Sequence, residues 1–225
     1  MSESIIFRTP GLVDFETSYQ AMSAFTAQRD AEVADEIWSL QHPAVYTLGL
    51  AGKPEHILDA GQIPVHKTDR GGQVTYHGPG QLVMYLLLDL RRRKIGIKDY
   101  VYLLEQSLID YLDHADLSAV RKPGAPGVYI GECKIAALGV RVRRDCCYHG
   151  LSLNVNMDLD PFRGINPCGY PDLEVTQLAN LGKSDDINRV ADDLLKYLLK
   201  NIVAGPYNVI LKEDLNDLLS DHVAA

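Results

Sequence analysis

Hydrophobic positions along the chain alternate between the period of a strand and the period of a helix. "SIIFR" (Ser4–Arg8) predicts a short first strand. From Asp14 to Ala34 the spacing is helical, with Asp14 as N-cap and Glu16, Ala21, Phe25 and Ala31 as helix formers. Asp35–Leu50 predicts two strands on either side of His42-Pro43, because proline cannot donate to a ladder. Ile63–Asp69 predicts another short strand and Gln81–Leu90 an apolar one. Lys98–Ala115 has helical spacing, and strands follow at Gly127–Gly131, Cys133–Arg144 and Cys147–Met157. The "IGEC" turn predicts that the first two of these form a hairpin. Val175–Leu181, Ile187–Ile202 and an amphipathic Leu211–Val223 predict the closing helices. No internal repeat interrupts the order, so the expectation is one α+β domain over residues 1–225, a mixed sheet flanked by helices.

The longest apolar run, "LVMYLLL" at Leu82–Leu88, suits a buried strand and is far too short for a membrane span. The N-terminus has no basic region followed by an apolar core, and the four cysteines have no regular spacing. Both features predict reduced thiols in the cytoplasm. A net charge of −8 argues against a nucleic-acid partner, which needs a basic footprint. Basic residues concentrate only in "LRRRKIG" (Leu90–Gly96) and "GVRVRR" (Gly139–Arg144), where Arg141 and Arg143 share one strand face. These are either solvated charge beside core strands or docking patches for an acidic partner.

Candidate chemistry gathers at three places. "FRGINPCGYPDL" (Phe162–Leu173) sets Cys168 between Pro167 and Gly169, a rigid turn whose thiol reads as nucleophile, metal ligand or small filler. "RGGQVTYHGPG" (Arg70–Gly80) packs four glycines and a proline into eleven residues directly before the apolar strand. It matches neither the P-loop nor the dinucleotide fingerprint, leaving a ligand-binding loop or a plain strand connection. "KIAALGV" places Lys134 ahead of the small residues Ala136, Ala137 and Gly139, and "YHGLSLNVN" places His149-Gly150 ahead of alternating apolar residues. Cys–Lys and Cys–His pairings are both open on the residues alone. No pair has the C-x₂-C spacing of a zinc site, so no metal is expected.

Taken in order, "RGGQVTYHGPGQ", "GVYIGECKIAALGV", "HGLSLNVN" and "INPCG" resemble the octanoyltransferase family, the lipoyl(octanoyl) transferases also called lipoate–protein ligase B. The resemblance implies the fold of the biotin and lipoate ligase catalytic domain, with a pocket over one sheet face. It implies Cys168 as nucleophile and Lys134 as its partner. The acyl pocket would be lined by Arg70, Gly71, Gly72, Gln73, Val74, Thr75, Tyr76 and His77. Ala137, Leu138 and Gly139 would complete it together with Gly150, Leu151 and Ser152, the last standing where an alanine is common. Similar enzymes move an octanoyl group from acyl carrier protein to a lysine of lipoyl domains, those of 2-oxoacid dehydrogenases and of the glycine cleavage H protein. Thioester to amide is downhill, so neither ATP nor a cofactor is expected. In that setting His77 reads as a structural histidine, and the N–H of Gly169 as a candidate oxyanion donor. The nearest alternative is an ATP-dependent lipoate or biotin ligase, with a lysine equivalent to Lys134 and no use for Cys168. A hydrolase or a non-catalytic binding module are further alternatives.

Overall fold

The computed structural model describes residues 3–171, 173–203 and 205–219, without the side chains of Cys168 and Leu219. Strands of the larger sheet are β1 (Glu3–Leu12), β2 (Asp35–Gln41), β6 (Gln81–Leu87), β7 (Ala119–Lys122), β8 (Ala125–Ile130), β9 (Cys133–Arg143), β10 (Cys146–Asn154) and β11 (Tyr207–Lys212). They lie in the order β11-β1-β2-β6-β10-β9-β8-β7, with β1 parallel to β2 and β11 and the remaining pairs antiparallel. A smaller sheet holds β3 (Val45–Leu48), β4 (Val65–Lys67) and β5 (Val74–His77) in the order β4-β3-β5. His42-Pro43 is the point where the chain leaves one sheet for the other.

The apolar run on β6 is continuous because both of its faces are covered. Leu82, Met84 and Leu86 face α3 (Ile97–His114) and α4 (Ile187–Ile202) in one core. Val83, Tyr85 and Leu87 face the opposite way, against Ala21 and Met22 of α1 (Phe15–Gln28) and the indole of Trp38. On α3, Tyr100, Leu104, Leu108 and Leu112 recur at helical spacing and are fully buried. Each such leucine contributes about 1.5–3 kcal/mol relative to exposure. A third cluster, with Tyr46, Leu48, Val74, Tyr76 and Phe162, lies on the outer side of the small sheet.

Several elements differ from the sequence expectation. α1 starts at its Asp14 cap but stops at Gln28, because the Asp30 carboxylate accepts the N–H groups of Glu32 and Val33 and turns the chain. Of the predicted helix Val175–Leu181, only Ala179–Leu181 is helical, a single 3₁₀ turn. The backbone before it is drawn into strand-like pairing, Lys134 N–H to Glu174 O (2.8 Å), Thr176 N–H to Lys134 O (2.9 Å) and Leu178 N–H to Asn154 O (3.1 Å). Leu211 and Lys212 belong to β11, and the closing helix α5 is described only over Asn216–Leu219; the remainder of that predicted helix lies outside the described residues. The strands β5, β7 and β11 and the short helix α2 (Leu90–Arg93) were not expected.

The first basic cluster is largely a clamp of the fold. Asp35 is fully buried and receives hydrogen bonds from Arg29 (2.6 Å), Arg92 (2.6 Å) and Arg93 (2.8 Å). Burial opposes its ionisation, but the guanidinium groups of Arg93 and Arg29 outweigh that and hold its carboxyl below the usual range. Of Arg91, Arg92 and Arg93, Arg91 is the most exposed and pairs with Asp145 at the surface.

Candidate active site

The small sheet lies across the α1 face of the large one, and a cleft runs between them. Strand alternation decides what lines it. On β5, Tyr76 belongs to the outer cluster, Thr75 and His77 reach the cleft, and Val74 is shared between the two. On β6 the cleft receives Val83 and Tyr85; on β9 and β10 it receives Ala137 and Gly139, Gly150 and Ser152. With Phe15 of α1, these residues line a cleft that stays open to solvent on one side. At one end the cleft continues into a smaller cavity lined by Lys134, Gln81, Asn154, Phe162 and Pro167. Thr75, Ala137 and Ser152 line both spaces and form the neck between them.

Lys134 is 4% exposed. Its Nζ donates to Pro126 O at 2.7 Å and lies 5.7 Å from the centroid of the Tyr129 ring. Room for the stem comes from Gly127, where a Cβ would stand 2.5 Å from Lys134 Cε and 2.8 Å from Ala136 O. Gly127 has φ +136°, open to glycine and strained for other residues. Glu105 accepts the Gly127 N–H (3.0 Å) and pairs with Arg121, so α3 fixes this stretch of β8.

Cys168 occupies the middle of a 3₁₀ turn, Pro167–Gly169. Asn166 N–H bonds to His56 O (2.8 Å) and Tyr170 N–H to Pro167 O (3.1 Å), so both limbs of the turn are tied down. The display of its thiol lies outside the described residues. Gly169 does not offer its N–H to a ligand, since that group donates to Asn166 O at 2.9 Å. The expected oxyanion role is therefore corrected: the turn itself uses the donor.

His77 is buried, and burial followed by repulsion from neighbouring charge holds it neutral, its pKa lowered to about 3. Its Nδ1–H donates to Gln81 Oε1 (2.6 Å). The Gln81 amide donates to Asn154 Oδ1 (2.9 Å), and the Asn154 amide to Thr176 O (2.9 Å). This chain of bonds runs from the small sheet to the segment paired with Lys134. His149 stands at φ +59° on β10, where it stacks on Tyr148 and Tyr19. Burial lowers its pKa, and its Nε2 faces Asp69 Oδ1 at 3.1 Å. Burial works against the Asp69 carboxylate, but hydrogen bonds from His149 and Tyr148 prevail and hold it at about 2.

Arg70 is buried and knits the glycine segment together, donating to Thr47 O (2.6 Å), Gln73 O (2.8 Å) and Gly71 O (2.9 Å). A Cβ on Gly139 would stand 2.9 Å from Arg70 Cδ. Gly71 N–H bonds to Val140 O (2.9 Å), closing the loop over that end of β9.

Over residues 14–199 the chain matches the family described as the lipoyl protein ligase A/B catalytic domain. It is 57% identical over 193 residues to an octanoyltransferase of Xanthomonas campestris pv. campestris strain 8004, covering 86% of this chain and 83% of that one. An octanoyltransferase of Stutzerimonas stutzeri strain A1501 is 55% identical over 202 residues, 90% of this chain and 92% of the relative. The chain belongs to the octanoyltransferase family.

Among solved structures, a lipoate-protein ligase A bound with ATP superposes with a TM-score of 0.75 at 16% identity, covering 98% of this chain and 94% of that one. A biotin protein ligase from Aquifex aeolicus with biotin and ATP gives 0.55 at 15% identity, covering 88% and 69%. These likenesses show that octanoyltransferase-family chains and the ligases share one fold.

Of the residues this family resemblance singled out, Arg70, Gly72, Gln73, Val74, Thr75 and His77 line the cleft. Ala137, Leu138, Gly139, Gly150, Leu151 and Ser152 join them, and Lys134 lines the adjoining cavity. Gly71 acts through its bond to Val140. Tyr76 is a correction: alternation on β5 turns it into the outer cluster, with its ring 5.4 Å from Phe162 and 5.6 Å from Tyr46. Phe15, Val83, Tyr85, Gln81 and Asn154 also line the site and were not expected. The β6 and β10 members were legible as every second residue of their strands; Phe15, brought in by a helix, left no such signal. Cys133, next to Lys134, donates its thiol to Glu174 at 3.4 Å. Among the described residues no group of three or more His, Cys, Asp or Glu could hold a metal ion, and no helix is long and apolar enough to cross a membrane.

Proposed function

We propose that this chain, acting as one catalytic domain in the cytoplasm, transfers an octanoyl group from octanoyl-[acyl carrier protein] to a lysine of lipoyl domains. The acceptors would be those of 2-oxoacid dehydrogenases and the glycine cleavage H protein. What supports the reading most directly is the continuity of the cleft: a narrow channel walled by Val83, Ala137 and Gly150 opens into the cavity that Lys134 shares with Pro167, the residue before Cys168. One solved relative, the Thermoplasma acidophilum ligase, is described with its E2 lipoyl domain.

The chemistry follows from a thiol and an amine. Proton transfer from Cys168 to Lys134 gives thiolate and ammonium. The thiolate attacks the thioester carbonyl, the new carbon–sulfur bond forms, the carrier's bond breaks, and Lys134 protonates the departing thiolate. In the second half the acceptor amine attacks the acyl-cysteine, its proton passes to Lys134, and the Cys168 thiolate leaves. Each half exchanges one bond for another, with no nucleotide consumed.

Intact-mass measurement tests this. Incubation with octanoyl-carrier alone should add one octanoyl mass to the protein, and a lipoyl domain should remove it. Cys168→Ser should take up no thioester-linked acyl group, and Lys134→Ala should acylate slowly near neutral pH. Acceptor modification that requires ATP would move the assignment to a ligase.

A further inference from the structure

Polar side chains are common along the cleft, but most of their hydrogen-bonding atoms are engaged with each other. His77 bonds to Gln81, Tyr85 to His42, His149 to Asp69, and Arg70 to Thr47 and its own loop. The far part of the cleft therefore presents ring faces and aliphatic surface, suited to an alkyl chain. The neck differs. Among the described residues, the hydroxyls of Thr75 and Ser152 make no hydrogen bond, although Ser152 is only 5% exposed. Both face the passage between the two spaces, one from each sheet. Neither oxygen is among the buried polar atoms left without a partner, so both open onto the cavity, where a ligand oxygen arriving between the two could accept from both.

We propose that the hydroxyls of Thr75 and Ser152 receive the carbonyl oxygen of the acyl group and stabilise the oxyanion formed at it. This rests on the transferase reading and assigns to the neck the role that Gly169 N–H does not have. When the thiolate bonds to the carbonyl carbon, the π pair moves onto oxygen, and the two hydroxyls donate to it. When the intermediate collapses, the pair returns and the carrier thiolate leaves, protonated by Lys134. The same two donors serve the amine's attack in the second half.

Chain length agrees with this position. An extended eight-carbon chain advances about 1.25 Å per bond, about 9 Å in all, from carbon–carbon bonds near 1.5 Å. Along β9, Ala137 at the neck and Val140 are separated by three residues, about 10 Å at strand rise. Val140 O is where Gly71 N–H closes the loop. A carbonyl held at the neck thus places the eighth carbon about level with Val140 on that strand.

The experiment compares Thr75→Val, Thr75→Ser, Ser152→Ala and the double variant Thr75→Val/Ser152→Ala with the parent. One readout is the single-turnover rate of acyl-enzyme formation from octanoyl-carrier. The other is the binding of the S-octyl carrier thioether, which has the chain but no carbonyl. The expected result is acylation slower by at least about 100-fold in the double variant, with thioether affinity unchanged and Thr75→Ser close to the parent. Should Thr75→Val not fold, Ser152→Ala, which deletes one oxygen from a wall of small residues, should still slow acylation about 100-fold with the thioether unaffected. Acylation at about the parent rate in whichever of these variants folds overturns the proposal and leaves the transferase reading intact. Parallel loss of thioether binding also overturns it, by assigning the residues to pocket shape. A parent protein that takes up no acyl group overturns the transferase reading and this proposal together.

Discussion

Gly127→Ala is the sharpest probe of how the backbone sets Lys134. The new Cβ would lie 2.5 Å from Lys134 Cε, where ordinary contact begins near 3.4 Å, so the stem must retreat by roughly 0.9 Å. It cannot relieve the overlap by moving the other way, because Ala136 O stands 2.8 Å from the same position and belongs to the sheet. Holding alanine at φ +136° adds strain of about 1–3 kcal/mol. For a chain of this size each kcal/mol lowers Tm by about 2–4 °C. A displacement of about 1 Å at a reacting group costs about 100-fold in rate. The expected outcome is a Tm several degrees lower and acyl-enzyme formation about 100-fold slower. Gly131→Ala is the control: Gly131 has φ +57° in the β8–β9 turn with nothing within 4 Å, so stability should fall slightly while acylation stays at the parent rate. Differential scanning calorimetry and stopped acylation time courses read by intact mass give both numbers. Parent-rate acylation by Gly127→Ala would refute the argument that this glycine places the lysine.

Phe15→Ala, which removes a ring from the cleft wall, should shift donor preference toward decanoyl over octanoyl by up to roughly 15-fold, two methylenes at about 0.8 kcal/mol each; competition between the two donors measures it. Asp35→Ala leaves Arg29, Arg92 and Arg93 around a lost charge and should lower stability by about 3–5 kcal/mol in urea titration. Reversing Arg92 or Arg93 should likewise act on stability, while reversing the exposed Arg91 together with Lys94 tests docking through KM for the carrier alone. His42 and His77 have pKa values lowered to about 4 and about 3, so the folded state resists protons that the unfolded chain accepts near 6.5. Their contribution is complete above pH 6.5 and is lost as pH falls toward those folded values, at about 1.4 kcal/mol per pH unit for each. His77→Gln should make the slope between pH 6 and 5 shallower in denaturant titrations.

The sequence reads most clearly where one force decides. β6 and α4 follow directly from apolar periodicity, and the Asp14 cap from its side-chain chemistry. Val175–Leu181 misleads because its residues have helical composition while its backbone is claimed by Lys134 and Asn154, neighbours distant in sequence. Tyr76 misleads for the converse reason. A glycine-rich setting suggests a loop, but residues 74–77 form a strand whose alternation sends Tyr76 away from the cleft. Lys134 and the turn around Cys168 were legible as motifs. Gln81 and Asn154 were not, since the bonds that connect them cross between strands.

A cleft between two packed sheets has the position that core side chains normally fill. An octanoyl group lodged there would be surrounded by Val83, Ala137, Gly150 and Leu151 much as a buried leucine is, joining the small sheet to the large one. During each turnover the protein would carry, for as long as the thioester lasts, an extra apolar residue that no codon specifies. Acylated and free forms would then be two differently packed proteins, and the acceptor lysine would extract part of the interior each time it removes the product.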